Sequence, residues 1–156
     1  AGGDEMRAVL QRVQRAEVRS EGELLGRIGP GMLVLLGVLR GDRADEAVAL
    51  AEKVSLFRFF RDAEDKMNRS ALDVGAEVLV VSQFTLAADG RKGRRPSFDR
   101  AMPPAEAIPL YERFVAELRA RALRVETGRF GARMEVELVN DGPVTFVLDE
   151  DPPAPS

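Results

Sequence analysis

The sequence predicts an α/β fold built on an antiparallel or mixed sheet, curled toward a barrel, with two main helices. Three observations support this prediction: strand-like segments dominate, two segments have apolar residues at helical spacing, and no internal repeat is visible. A chain of 156 residues with 45% apolar and 31% charged residues suits one globular domain with a sizeable core. We therefore expect a single domain over residues 6–149.

The first part of the chain predicts three strands. Residues 7–19 alternate loosely between apolar and polar positions, and residues 24–28 resume the alternation after a turn at residues 21–23. These two strands are expected to pair as a hairpin. Residues 32–36 are apolar at every position, which is typical of a central strand that is covered on both faces.

Two amphipathic helices follow at separate places in the chain. Asp42 is expected to be the N-cap of the first helix, with Asp45 at its third position, and a polar connection over residues 62–69 comes after it. The apolar face of this helix is predicted at Ala47, Leu50, Ala51, Val54 and Phe57. The second helix begins near Pro104, so Pro109 must lie in its first turn or bend it. Its apolar positions are Ile108, Tyr111, Val115 and Leu118.

The remaining elements are strands and one long loop. Residues 77–86 predict a strand, and residues 87–104 predict a loop long enough to indicate a function. Residues 134–138 alternate between apolar and charged side chains, as in a half-exposed strand. A turn at residues 140–143 is expected to reverse the chain into a last strand over residues 144–148.

The absence of cysteine and histidine excludes several kinds of active site. Cysteine nucleophiles, Ser-His-Asp triads, histidine general bases and Cys/His zinc sites are all ruled out. Catalysis must use hydroxyl groups, carboxylates, Lys or Arg, backbone groups or the substrate itself, and no metal or organic cofactor is implied. A chain without disulfides suits the cytoplasm.

The charge pattern leaves two interpretations open for the long loop. A net charge of −3 argues against broad non-specific nucleic-acid binding. Four cations nevertheless lie close together in the loop: Arg91, Lys92, Arg94 and Arg95. They form either a solvated loop or a contact site for the phosphates of a nucleic acid.

Neither end of the chain is expected to belong to the fold. Residues 1–5 precede the periodic pattern and are interpreted as a cloning remnant, without features of a secretory leader. Residues 150–156 are acidic and rich in proline, which predicts a flexible tail. The longest apolar run, residues 32–39, is too short to cross a bilayer.

Two short motifs carry the functional signal. The first is Ser82-Gln83-Phe84-Thr85-Leu86, and the second is Val139-Asn140-Asp141-Gly142-Pro143-Val144-Thr145. The second contains a Gly-Pro step, where a rigid turn with two fixed carbonyl groups is suited to gauge the shape of a substrate. Considered alone, this motif is better explained as an ordinary hairpin turn, since Asp-Gly is a common turn signal. Arg12 lies on a largely apolar strand, so its guanidinium needs a partner, which carbonyl groups at the Gly-Pro step can provide.

Taken together and in order, these motifs resemble the D-aminoacyl-tRNA deacylases, also called D-tyrosyl-tRNA deacylases. The matching segments are residues 11–13, 29–37, 66–68, 80–86, 95–98, 127–130 and 139–145. No single segment is specific, whereas the ordered series across residues 7–148 is. The resemblance implies a homodimer with an active site at each subunit interface and aminoacylated tRNA as the substrate.

The resemblance also implies a role for each motif residue. The segment that holds the 3′-terminal adenosine and the catalytic groups is Ser82, Gln83, Phe84 and Thr85. Gly142 and Pro143 are expected to form a cis dipeptide that enters the pocket of the other subunit and selects the D-amino acid. Arg12 would hold this turn, and Phe130 would line the nucleoside pocket. Further supporting or substrate-binding residues are Met134, Asn140 and Thr145.

The chemistry of an ester substrate is compatible with these residues. Hydrolysis needs an oriented water and donors for a developing oxyanion, which backbone N–H groups of residues 83–85 can supply. A nucleophilic Thr85 needs an adjacent base, so the ribose hydroxyl of the tRNA is the better candidate to activate water. Carbonyl groups of Gly142 and Pro143 beside the α-carbon would collide with an L side chain only. Glycine has no side chain, so glycyl-tRNA should also be cleaved.

Two other classes of function stay open at this point. One is a non-catalytic module that binds the aminoacylated acceptor end, and the other is a structural homodimer in which the Gly-Pro segment is only a clasp. A turnover assay separates the first from an enzyme, and salt-dependent tRNA binding tests the second. In all cases we expect neither a membrane nor DNA as a partner.

Overall fold

The computed structural model describes residues 6–88, 90 and 93–149. Its strands are β1 Arg7–Ser20, β2 Glu23–Ile28, β3 Gly31–Gly37, β4 Phe60–Arg61, β5 Met67–Arg69, β6 Glu77–Ser82, β7 Arg124–Thr127 and β8 Glu135–Asp149. Its helices are α1 Ala44–Leu56, α2 Ala71–Val74, the 3-10 helix Phe84–Ala87 and α3 Pro104–Ala120. The expected remnant and tail lie outside the described residues, as do Arg91 and Lys92. Within the described part of the chain, no helix is long and apolar enough to span a membrane.

Six strands form one mixed sheet in the order β2-β1-β3-β6-β7, with β8 also paired to β1. The long strand β1 pairs with β8 along most of its length, with β3 along its first half and with β2 along its second half, always antiparallel. The pairs β3–β6 and β6–β7 are parallel. The sheet curls into a nearly closed barrel in which β2 also approaches β6 and β7. The predicted fold class is therefore confirmed, including the hairpin of β1 and β2.

The core lies on both faces of the central strands. Met32 and Val34 of β3 belong to a large cluster beneath α1 and α3, whereas Leu33 packs in a smaller cluster on the opposite face. This explains why the strand is apolar at every position, as predicted. The buried helix residues are Ala47, Leu50, Ala51, Val54, Ala107, Tyr111, Phe114, Val115 and Leu118.

Asp42 does not cap the first helix, so that prediction is wrong. The N-cap is Arg43, whose backbone N–H donates to the carboxylate of Glu46 at 2.9 Å. Asp42 is buried and accepts the backbone N–H groups of Met6 at 2.9 Å and Leu39 at 2.8 Å. Its carboxylate satisfies two backbone donors and ties the loop after β3 to the start of β1, a tertiary role that a local pattern cannot reveal.

Two predicted boundaries also change. The strand predicted over residues 77–86 ends at Ser82, where the chain turns into the 3-10 helix. The polar connection over residues 62–69 contains part of the antiparallel hairpin of β4 and β5. Its turn is closed by Asp62, whose carboxylate accepts the N–H groups of Lys66 at 3.0 Å and Glu64 at 2.8 Å. These hydrogen bonds lower the pKa of Asp62 below its ordinary value, the bond from Lys66 having the largest effect.

The expected turn at residues 140–143 is a bulge in one continuous strand. β8 pairs with β1 on both sides of this point, and Thr145 lies opposite Gln11 while Asn140 lies opposite Val13. Residues 141–144 therefore face Arg12 alone. Asp-Gly and Gly-Pro steps suit a bulge as well as a turn, and the length of β1 decides between them because it offers partners to both halves of β8.

Candidate active site

A cleft of about 390 Å³ opens where β6 ends. Ser82, Gln83 and Phe84 form one wall, and Phe130 and Met134, from the segment between β7 and β8, form another. The rest of the lining is mainly aliphatic: Leu36, Val38, Val81, Met102, Ala107 and Val136. An apolar cleft of this size with a few polar groups at one end is suited to bind a small organic group such as a nucleoside.

Close packing of backbone at the end of β3 shapes the polar wall. A Cβ at Gly37 would lie 2.8 Å from the Cβ of Leu86 and 3.2 Å from the carbonyl oxygen of Gln83, so the position requires glycine. The N–H of Gln83 donates to the carbonyl of Leu36 at 2.8 Å, and the chain then leaves the sheet as the 3-10 helix. The first N–H groups of such a turn have no acceptor within it, which makes them available to a ligand.

The side chains of the first motif face the cleft mouth and solvent. The Gln83 amide donates a short hydrogen bond to the hydroxyl oxygen of Thr85. Phe84 is 62% exposed, and its ring lies 5.2 Å from that of Phe98 in a tilted arrangement. An exposed aromatic ring beside a cleft is a surface on which a base can stack.

The opposite wall is attached to β6 through Tyr111. The Tyr111 hydroxyl donates to the backbone carbonyl of Val80 at 2.9 Å, and its ring contacts Phe130 edge-on at 5.8 Å. Burial raises the pKa of Tyr111 to about 12. A Cβ at Gly128 would lie 2.6 Å from the sulfur of Met134, so glycine lets this side chain reach the cleft.

The second motif forms an exposed bulge that the Asn140 side chain closes. The Gly142–Pro143 peptide bond is cis, and both residues are exposed. The Asn140 amide accepts the N–H of Val144 at 2.6 Å and donates to the Val144 carbonyl at 3.0 Å and the Thr145 hydroxyl at 3.3 Å. A Cβ at Gly142, where φ is +145°, would lie 2.6 Å from the Val144 side chain. Only glycine fits this position without strain.

Arg12 supports the bulge from beneath. Its side chain is only 5% exposed. Nε donates to the carbonyl of Asp141 at 3.0 Å, and Nη1 donates to the carbonyl of Phe59 at 2.8 Å. Burial, followed by the nearby guanidinium of Arg61, lowers the pKa of Arg12, and the Asp141 carboxylate opposes this shift. The buried cation is thus satisfied by carbonyl groups, as its position on an apolar strand indicated.

Within one chain the two motifs do not meet. Ser82 lies opposite Leu36 of β3, whereas Arg12, which faces the bulge, lies opposite Met32. A separation of four residues corresponds to about 13 Å along the strands. The bulge residues Gly142 and Pro143 are not part of the cleft lining.

The described part of the basic loop is anchored at its end. Arg94 and Arg95 are exposed, and the other two predicted cations lie outside the described residues. Arg40 holds the loop, because its Nε donates to the carbonyl of Asp99 at 2.6 Å and its backbone N–H donates to the carbonyl of Arg100 at 2.8 Å.

Three residues of this region were not predicted from the sequence as site residues. Tyr111 was assigned only to the apolar face of α3, although a buried tyrosine hydroxyl usually needs a hydrogen-bond partner. Asp141 and Arg61 form an ion pair with 3.0 Å between Nη1 and Oδ2. No local signal connects two residues 80 positions apart.

Comparison with known proteins agrees with the motifs. The chain matches the D-Tyr-tRNA(Tyr) deacylase family over residues 9–149. A Symbiobacterium thermophilum protein named D-aminoacyl-tRNA deacylase is 62% identical over 148 residues, which is 94% of this chain and 97% of that protein. A solved structure described as a c-Myc DNA Unwinding Element Binding Protein has a TM-score of 0.86 and 41% identity, covering 95% of this chain and 99% of the other.

A second solved structure shares the fold at lower identity. It is described as a probable eukaryotic D-amino acid tRNA deacylase, with a TM-score of 0.79 and 22% identity, covering 92% of this chain and 98% of the other.

The family match and the similar curated protein confirm the predicted family and enzyme class, and aminoacyl-tRNA is the substrate class. The chain belongs to the D-Tyr-tRNA(Tyr) deacylase family, hydrolases that cleave the ester bond between a D-amino acid and tRNA.

Proposed function

We propose that the enzyme acts as a homodimer in which the Gly142–Pro143 bulge of one subunit completes the cleft of the other. The observation that carries this proposal is the separation of the two motifs: each chain has an open cleft and an exposed bulge that does not line it. β8 adds support, because it is paired to β1 and leaves Val147 60% exposed outside the cleft. A second copy that covers this strand would remove apolar surface from water.

The cleft is proposed to hold the 3′-terminal adenosine of the tRNA. The rings of Phe84 and Phe130 offer apolar surfaces for the base and ribose, and Met134 extends the wall that Phe130 forms. The ester would then lie over the start of the 3-10 helix, where backbone N–H groups stabilise the oxyanion. Hydrogen bonds from these donors stabilise the negative charge that develops on the substrate oxygen, so the proposed reaction needs no metal or cofactor.

Thr85 is proposed to orient the substrate and not to attack it. Its hydroxyl oxygen already accepts a hydrogen bond from the Gln83 amide, which makes that oxygen a poorer nucleophile and leaves its hydrogen free to donate. A nucleophilic hydroxyl needs an adjacent base, and the chain has no histidine to act as one. The neighbouring ribose hydroxyl of the tRNA is therefore proposed to position or activate the attacking water.

Discrimination between D- and L-amino acids is proposed to be steric. Carbonyl groups of Gly142 and Pro143 would lie against the α-carbon of the substrate. The residues on either side of them are fixed, because Arg12 binds the Asp141 carbonyl and the Asn140 amide binds the backbone of Val144. An L side chain would meet the oxygens of the Gly-Pro step, whereas a D side chain would point away from them. Glycine offers nothing to collide with, so the same geometry accepts glycyl-tRNA.

The partners follow from this substrate. Arg94 and Arg95 are exposed at the basic loop and are proposed, together with Arg91 and Lys92, to contact tRNA phosphates. The proposed activity requires neither DNA nor a membrane, and we place it in the cytoplasm because aminoacylated tRNA is used there.

The decisive experiment compares the hydrolysis of D-tyrosyl-, L-tyrosyl- and glycyl-tRNA by the purified protein in the presence of EDTA. We expect loss of the D-tyrosyl and glycyl esters while the L-tyrosyl ester survives. Binding of all three without hydrolysis would favour a non-catalytic module. Hydrolysis of all three esters would show that the bulge does not select chirality. If only the D-tyrosyl ester were hydrolysed and both the glycyl and the L-tyrosyl esters survived, the steric explanation would be contradicted.

A mixing experiment tests whether the site is shared between subunits. Phe84→Ala damages the cleft and Gly142→Ala damages the bulge, so each variant alone should be nearly inactive or unselective. After unfolding and refolding together, half of the dimers are mixed, and each has one site with both parts intact. About a quarter of all sites should then regain selective hydrolysis. If both parts came from the same chain, mixing would restore nothing.

A further inference from the structure

We propose that Arg61, acting through Asp141, is a positioning residue that sets the orientation of the Gly142–Pro143 bulge and thereby the discrimination against L-aminoacyl-tRNA. This inference rests on the proposed function and assigns a role to the hairpin of β4 and β5. Neither of the two functional motifs contains Arg61.

The guanidinium of Arg61 contacts two carboxylates, those of Asp141 and Asp65. Nη1 of Arg61 lies 3.2 Å from Oδ1 and 3.0 Å from Oδ2 of Asp141. Nε of the same guanidinium lies 3.0 Å from Oδ1 of Asp65, in the turn of the hairpin. The planar guanidinium is therefore held between two carboxylates, and its direction is restricted more than that of a single surface ion pair.

Asp141 is bound from two elements at once. Arg12 on β1 donates to its backbone carbonyl at 3.0 Å and lies 3.7 Å from its carboxylate, while Arg61 on β4 binds the carboxylate directly. Arg12 also donates to the carbonyl of Phe59, two residues before Arg61, so the same short segment supports both contacts. Gly142 follows Asp141 immediately, and its orientation depends on how that residue is held.

The two arginines need the carboxylate between them. The positive charge of Arg61 disfavours the charged form of Arg12 and lowers its pKa, whereas the negative charge of Asp141 favours that form and raises the pKa. Removal of the carboxylate leaves two guanidinium groups facing each other and pushes β4 away from the bulge. Removal of Arg61 instead leaves Asp141 with Arg12, which binds its backbone carbonyl at 3.0 Å and lies 3.7 Å from its carboxylate. The two changes therefore loosen the bulge by different routes.

Loss of this contact should change the selectivity of the enzyme and not its free energy of unfolding. The Arg61 side chain is 42% exposed and the Asp141 side chain 28% exposed, so the pair contributes little to the free energy of unfolding. Steric rejection is more demanding, because a small displacement of a carbonyl oxygen opens space for a side chain. A loss of selectivity without a loss of stability is thus the expected signature.

The test uses Arg61→Ser in the full-length chain, with Arg61→Lys and Asp141→Asn beside it. Initial rates with L-tyrosyl- and D-tyrosyl-tRNA are compared with those of the unchanged protein. We expect the L-to-D rate ratio to rise about tenfold for Arg61→Ser, since a misplaced group acts through geometry, with kcat for the D ester little altered. Arg61→Lys keeps the charge without the fork and should recover part of the selectivity. Asp141→Asn should raise the ratio at least as much as Arg61→Ser.

Arg113→Ser is the matched control. Arg113 also forms an exposed ion pair, with Glu117 at 3.2 Å on α3, and its loss should leave both rates and the melting temperature unchanged. If Arg61→Ser and Asp141→Asn both fold and both have the same L-to-D rate ratio as Arg113→Ser, this inference is overturned while the proposed function stands. If the unchanged protein cleaves both esters at the same rate, the proposed function itself fails.

Discussion

Removal of the Asn140 side chain is the most direct perturbation of the bulge. Asn140 makes two hydrogen bonds with the backbone of Val144, one as acceptor at 2.6 Å and one as donor at 3.0 Å. Val144 is buried, so water can replace these bonds only in part after the change to alanine. The bulge should then lose its fixed shape while the flanking pairs of β8 with β1 remain.

The expected loss of stability follows from those two bonds. A hydrogen bond contributes about 1 kcal/mol, and an unsatisfied buried group costs about 1–3 kcal/mol, so Asn140→Ala should lower the free energy of unfolding by about 2 kcal/mol. For a domain of this size that corresponds to a melting temperature about 4–8 °C lower. The carbonyl groups of Gly142 and Pro143 would also lose their fixed direction, so cleavage of the L ester should increase.

Urea unfolding and ester hydrolysis measure the two effects separately. Asn140→Asp is the control of equal shape. It retains the acceptor for the Val144 N–H but loses the donor to the Val144 carbonyl and the Thr145 hydroxyl, so it should be destabilised by the loss of the donated bonds and by repulsion between its carboxylate and the Val144 carbonyl. Asn140→Ala with a loss below about 0.5 kcal/mol, within the range of ordinary surface substitutions, would refute the reasoning. So would an unchanged L-to-D rate ratio in a variant that has lost the expected stability.

Three further predictions concern other parts of the chain. The pKa of Tyr111 is raised from 10.0 to about 12, so the contribution of its neutral hydroxyl to stability should be fully present below pH 10 and fall by about 3 kcal/mol as pH rises toward 12. Tyrosinate absorbance of this single tyrosine and alkaline unfolding check this, and Tyr111→Phe should remove the dependence. Gly31→Ala would place a Cβ 1.9 Å from the carbonyl oxygen of Glu77, so we expect this variant to be unstable or insoluble. Soluble, stable protein would contradict the pairing of β3 with β6. Charge reversal of Arg94 and Arg95 should raise KM for tRNA without changing chirality, and an equal loss on aminoacyl-adenosine would contradict a phosphate contact.

Local patterns were sufficient wherever an element is stabilised by its own periodicity. β1, β2 and β3 were predicted because alternation and uniform apolarity report how many faces of a strand are covered. α1 and α3 were predicted because their apolar residues recur at helical spacing. β7 and α2 were missed, since a strand or helix of four residues is too short to show a period.

Long-range contacts were beyond the reach of those patterns. Asp42 carries the composition of a cap, yet its carboxylate binds the N–H of Met6, 36 residues away. The Gly142–Pro143 segment carries the composition of a turn, yet β1 pairs with the strand on both sides of it. In both places the local preference is satisfied by two structures, and a distant partner selects one of them.

The sequence by itself determined the fold class, the main helices and strands and, through the ordered motifs, the family of the enzyme. These features depend on residue types and their spacing, which are visible without distances. Only the tertiary structure decided that the Gly-Pro step is a bulge, that Arg12 and Arg61 both hold Asp141, and that the bulge lies apart from the Ser82 wall of the cleft. The physical reason is that β1 pairs with three strands at once, and the register of those pairs places residues that are remote in the chain.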